Sequence, residues 1–143
     1  MKRQVSVGMV IILVFAMLTG CGKASAYKMR QQESEDYEML QQVMTSFTSA
    51  IVSTEFEGNI DAKSVQELKT NYAEVYEEMS TYLEKKPEEI ENDFSSDACQ
   101  GGTIAFLGIR NQVTMGYHTE IKVSVIKDGQ TVVGQSGQKF EIE

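Results

Sequence analysis

Thr103-Ile104-Ala105-Phe106-Leu107-Gly108-Ile109, followed further on by Thr119-Glu120-Ile121-Lys122-Val123-Ser124-Val125-Ile126, is where the hydrophobic period of this chain changes from that of a helix to that of a strand. In the second segment Ile121, Val123 and Val125 alternate with polar residues and fall on one face, the pattern of a half-buried strand. Asp128-Gly129 is a hairpin-turn signal because both positions of a tight two-residue turn need positive φ, and Thr131-Val132-Val133 reads as the returning strand. Lys139-Phe140-Glu141-Ile142-Glu143 alternates again and suits a last edge strand guarded by its charges. Short connections of this kind make the sheet antiparallel.

Upstream of Gln100-Gly101-Gly102 the period is helical. Tyr37, Leu40, Met44, Phe47 and Ile51 recur at spacings of three and four, with Val43 and Ala50 widening the stripe. Ser34 suits an N-cap, and Glu35 and Asp36 then sit in the first turn, where the helix dipole favours anions. Glu57-Gly58-Asn59 ends the pattern. A second stripe follows in Val65, Leu68, Tyr72, Val75, Met79 and Tyr82. Ser64 with Glu67 makes a capping box, Lys85 and Lys86 complement the C-terminal dipole, and Pro87 stops the run. A short third helix can start at Pro87, with Ile90 and Phe94 one turn apart. Helices first and strands afterwards give an α+β fold: two main N-terminal helices, with a short third, packed on a small C-terminal antiparallel sheet.

The first residues obey different rules. Lys2 and Arg3 precede an apolar run from Val7 to Leu18, 12 residues long, and Leu18-Thr19-Gly20-Cys21 closes it. A spanning helix needs about 20 apolar residues, so this run reads as a secretory signal instead. With its lipobox Leu18-Thr19-Gly20-Cys21 the chain resembles the bacterial lipoprotein precursors over roughly its first 22 residues. The resemblance implies cleavage between Gly20 and Cys21 and a lipid on Cys21. Two acyl chains anchor stably where one does not. The expected organisation is therefore a signal peptide at 1–20, a lipid-anchored tether at 21–33 and a single α+β domain at 34–143.

Charge narrows the partners. Loss of Lys2 and Arg3 takes the net charge from −8 to −10 in the processed chain. The 17 acids between residues 31 and 97 face only Lys63, Lys69, Lys85 and Lys86, whereas residues 98–143 balance. An acidic half and a neutral half exclude nucleic acid, whose phosphates require a basic surface. Anionic headgroups are no better a partner, so the lipid on Cys21 must carry the membrane attachment. The expected address is the extracytoplasmic face of a bacterial cell membrane, with a protein partner still to be found.

Helix followed by antiparallel sheet also resembles, in its globular part, the type IV pilin and pseudopilin plan. The resemblance implies a pilin-like accessory of a secretion or surface apparatus. A prepilin cut after Gly8 would leave Leu13, and no glutamate, at the fifth position, so the filament-forming segment is not part of the likeness.

Chemistry has few candidates. Cys99 and His118 are the single thiol and single imidazole left after lipidation of Cys21. A cysteine nucleophile needs a nearby base, which only His118 supplies, with Glu120 or Asp97 to orient it. No nucleophile signature surrounds Cys99, so both residues read as ordinary structure and a small thiol enzyme is the alternative. Structural zinc needs about four Cys or His ligands, and Glu88, Glu89, Glu91, Asp93 and Asp97 lack the spacing of a calcium loop. No metal and no cofactor is expected. The sequence thus favours a non-catalytic binding or assembly module held at a membrane.

Overall fold

The computed structural model describes residues 26–143 in full and, of the earlier ones, only the assignment that begins the first helix at Lys2. The signal segment, the cleavage position at Gly20 and the lipidation residue Cys21 lie outside the described residues. The fold is α+β, with helices α1 (Lys2–Ser53), α2 (Val65–Asn71), α3 (Ala73–Thr81) and α4 (Pro87–Asp93). The strands are β1 (Gly58–Ala62), β2 (Thr103–Val113), β3 (Gly116–Lys127), β4 (Gln130–Gln135) and β5 (Lys139–Ile142). They form one antiparallel sheet in the order β1-β2-β3-β4-β5.

The α1 stripe is the spine of the core. Leu40, Val43, Phe47, Ala50 and Ile51 are buried, and they meet Ile104, Phe106, Val123 and Val125 on the inner face of the sheet. Phe47 stacks edge-on against Phe106 with ring centroids 5.1 Å apart. Two glycines let the helix approach the strands. A Cβ on Gly108 would lie 2.9 Å from Ile51 and 3.2 Å from Phe47, and one on Gly134 would lie 2.8 Å from the Tyr37 ring. Such distances leave no room for even a methyl group.

Ser34 does not cap α1. Residues 26–33, expected within the tether, are helical and run into the rest of α1 without a break, since no Gly or Pro interrupts them. The Ser34 hydroxyl instead donates to Gln138 Oε1 in the turn before β5. The second helical stripe is divided between α2 and α3 at Tyr72, whose φ of −135° and ψ of 52° leave the helical region. Its ring packs edge-on against Phe56, and its hydroxyl reaches the Asn59 carbonyl at 3.4 Å. The capping box forms: Ser64 Oγ accepts the Glu67 N–H at 3.0 Å, and the Glu67 carboxylate accepts the Lys63 N–H at 2.8 Å.

β1 lies where the sequence indicated only a break. It pairs with β2 along the register Gly58↔Arg110 to Ala62↔Phe106 and buries Ile60 and Ala62. The β2 and β3 strands also run on past Ile109 and Thr119 into a hairpin arm ending at Val113↔Gly116. Every residue from Asn111 to Glu120 is exposed on it. The Asp128-Gly129 turn has the expected backbone, with φ of 52° and 74°.

Candidate functional site

Cys99 and His118 occupy opposite ends of the sheet. Gly102 donates its N–H to the Cys99 carbonyl at 2.9 Å, and the neighbouring Thr103 pairs with Ile126, which places Cys99 at the C-terminal end of β3. His118 lies eight residues back along β3, or about 26 Å at about 3.3 Å per residue. The two cannot share a proton, and the geometry required of a thiol enzyme is missing. Cys99 is fully buried, and burial pushes its thiol up to about 12, the reverse of an activated nucleophile. His118 does meet the expected Glu120, Nε2 to Oε1 at 3.1 Å, but in open solvent on the arm. Asp97, the other expected orienting group, instead offers its backbone carbonyl to Lys127 Nζ.

The acidic run is less solvated than its composition suggests. Glu88 Oε1 accepts the Tyr76 hydroxyl, and Glu88 Oε2 is enclosed with no partner among the described residues. Glu91 accepts the Ile104 N–H at 2.8 Å, clasping the start of β2, and burial holds its carboxyl above the usual carboxylate range. Asp93 pairs with Lys85 at 2.8 Å on the surface. Among the described residues no group of three or more Cys, His, Asp or Glu side chains is placed to hold a metal ion.

Two buried charged side chains escaped the pattern analysis. Asp36, expected in the first turn of a helix starting at Ser34, is fully buried and accepts N–H groups from Ser95 at 3.1 Å and Ser96 at 2.8 Å, as well as the Ser96 hydroxyl. It ties α1 to the loop that leads into β2. Arg110 is 8% exposed; its Nη1 donates to the Phe56 carbonyl at 3.2 Å, and its guanidinium lies 3.9 Å from the centre of the Tyr117 ring. The Phe56 carbonyl and the face of Tyr117 are both electron-rich, which compensates a charge with no carboxylate opposite it among the described residues.

The outer face of the sheet also carries an open feature. A groove of about 450 Å³ runs over Leu107 and Ile109, with Asn59 and Asp61 on one bank and Glu120 and Lys122 on the other. Leu107 is 43% exposed there. Compared with protein-family models, curated proteins and solved structures, the chain matches none. Among the described residues no helix is long and apolar enough to cross a membrane.

Proposed function

We propose that the chain is a bacterial lipoprotein: a membrane-anchored, extracytoplasmic protein that works by binding or assembly. One observation carries the reading, the lipobox Leu18-Thr19-Gly20-Cys21 closing a 12-residue apolar run behind Lys2 and Arg3. The domain is compatible with it in two respects. From Ala26 onward α1 is continuous with the core stripe, so an anchor on its N-terminal side would hold the domain without a long linker. The only described thiol is buried, which leaves Cys21 as the cysteine available for acylation.

Labelling cells with an alkyne-tagged fatty acid tests the proposal. The wild-type chain should incorporate the label and fractionate with membranes; Cys21→Ala should incorporate none and stay unprocessed at that site. Continued labelling of Cys21→Ala would sink the proposal.

A pilin-like accessory is the second reading, favoured by the placement of α1 across one face of an antiparallel sheet, with Phe47 over Phe106 and Tyr37 over Gly134. It carries the architecture alone, because fold does not establish function. Co-purification of secretion-apparatus subunits with the membrane-extracted protein would favour it; their absence would leave the simple lipoprotein.

A further inference from the structure

The register of β1, β2 and β3 sets Asp61, Leu107 and Lys122 side by side in one row across the outer face of the sheet, and Asn59, Ile109 and Glu120 in a second. An acid, an apolar residue and a base in line form a surface complementary to itself. A two-fold axis parallel to β2, passing above Leu107 and Ile109, would carry Asp61 of one copy over Lys122 of the other and the reverse. The same operation sets the Asn59 amide, a hydrogen-bond donor, over the Glu120 carboxylate. Leu107 and Ile109 would then meet their own copies at the centre, as an isologous interface requires. We infer that this face associates with a second copy of the chain, sheet upon sheet.

Several observations favour that occupant. The floor of the groove is apolar and unpartnered, with Leu107 at 43% exposure on the second strand of a five-stranded sheet whose inner face alone is covered by helices. Facing sheets pack about 10 Å apart, a separation at which two leucines interdigitate. The banks are polar and of opposite sign, giving an apolar centre within a charged rim. Lys122 is tethered by Glu143, and Glu120 by His118, so both rim charges are held at the surface. Within one copy Asp61 and Lys122 stand two strand spacings, about 10 Å, apart, and they form no ion pair. An unrelated extended peptide would find no reason for the acid and the base to be equidistant from Leu107. The inference rests on the sheet and not on the lipid.

Thiol crosslinking of the full chain in intact cells tests it. Leu107→Cys, placed beside the axis, should give a species of twice the chain mass with a short bis-maleimide, which spans facing strands about 10 Å apart where a disulfide cannot, whereas Met115→Cys at the exposed tip of the arm should not. Buried Cys99 does not interfere. Adding Asp61→Lys to Leu107→Cys should reduce the dimer several-fold, and adding Lys122→Asp as well should restore it. Lys122→Asp also removes the Glu143 contact, so the readout is recovery of crosslinking in the double reversal, which a merely structural role of either residue does not produce. Failure of Leu107→Cys to exceed Met115→Cys, or no recovery in the double reversal, would overturn the inference. So would a dominant adduct of some other mass, which would assign the face to a different protein. The parent chain treated in parallel reports any crosslink through an unlipidated Cys21, and only the excess given by Leu107→Cys is scored, so the result is separable from the question of the lipid.

Discussion

The Asp36 carboxylate lies fully buried in α1 and receives the Ser96 N–H at 2.8 Å together with the Ser96 hydroxyl, joining two residues 60 positions apart. A buried carboxylate is tolerable only when its lone pairs are filled, and the N–H groups of Ser95 and Ser96 fill them. The contact fixes both the position of α1 on the sheet and the approach of the chain to β2.

Replacing Asp36 by Ala leaves those donors without an acceptor. The expected loss is about 3 kcal/mol, at about 1–3 kcal/mol for each buried group left unsatisfied. Urea denaturation should show a lowered midpoint with an unchanged slope, while Glu35→Ala, one residue away and exposed, should shift nothing. Equal effects from the two variants would mean that the clasp does not hold the helix.

Packing between α1 and the sheet gives a second expectation. Phe47 is completely buried, and Phe47→Ala should cost roughly 3–5 kcal/mol. Gly108→Val intrudes on Ile51 and Phe47 from the opposite side and should cost about 1–3 kcal/mol. Exposed Glu74 serves as the control, since Glu74→Ala changes no buried contact. Thermal unfolding followed by circular dichroism orders the three.

Alkaline pH should weaken the fold. Burial raises the Cys99 thiol from 9.0 to about 12. Burial first, and then the hydrogen bond to Glu88, raises the Tyr76 hydroxyl from 10.0 to about 12. Above pH 9 the unfolded chain therefore holds fewer protons than the folded one, and stability falls as pH rises. The contribution is fully present below about pH 9 and is lost progressively towards about pH 12. Unfolding midpoints across that window should decline. Cys99→Ala combined with Tyr76→Phe should flatten the decline; an equally steep fall in that variant would assign it to other groups.

Cys99 and His118 should prove dispensable for function. With the two residues at opposite ends of β3, Cys99→Ala/His118→Gln should fold, fractionate as the parent does and keep any partner captured by crosslinking. Complete loss of biological function in a variant shown to be folded and correctly located would move the thiol-enzyme reading to first place.

The features that could be read in the sequence are those whose signals are local. The capping box at Ser64 and Glu67, the turn at Asp128-Gly129 and the α1 stripe each depend on spacings of a few residues, and each is present. β1 was hidden because Asn59-Ile60-Asp61-Ala62 is brief, half polar and poor in β-branched residues. Its strand character comes from β2, on which it lies. The division at Tyr72 is likewise a tertiary effect, arising where its ring docks on Phe56. Asp36 carried the signature of an anion in a first helical turn, and only the return of the chain at Ser95 and Ser96 makes it a buried acceptor. The proposed lipobox stands at the other extreme, since such a site would be written wholly in consecutive residues. The row of Asp61, Leu107 and Lys122 cannot be recognised until three strands are in register.

Because α1 runs on from the N-terminal side of the chain into the centre of the core, it is also the element that would bear mechanical load. A pull along its axis is resisted in shear by Leu40, Val43, Phe47 and Ile51 seated against the sheet, with the Asp36 clasp the buried attachment nearest the point of traction. Strain relieved there would slacken the loop at Ser95 and Ser96 before it reached the Phe47–Phe106 contact. Tension at one end of the helix would thereby act on the segment that leads into β2.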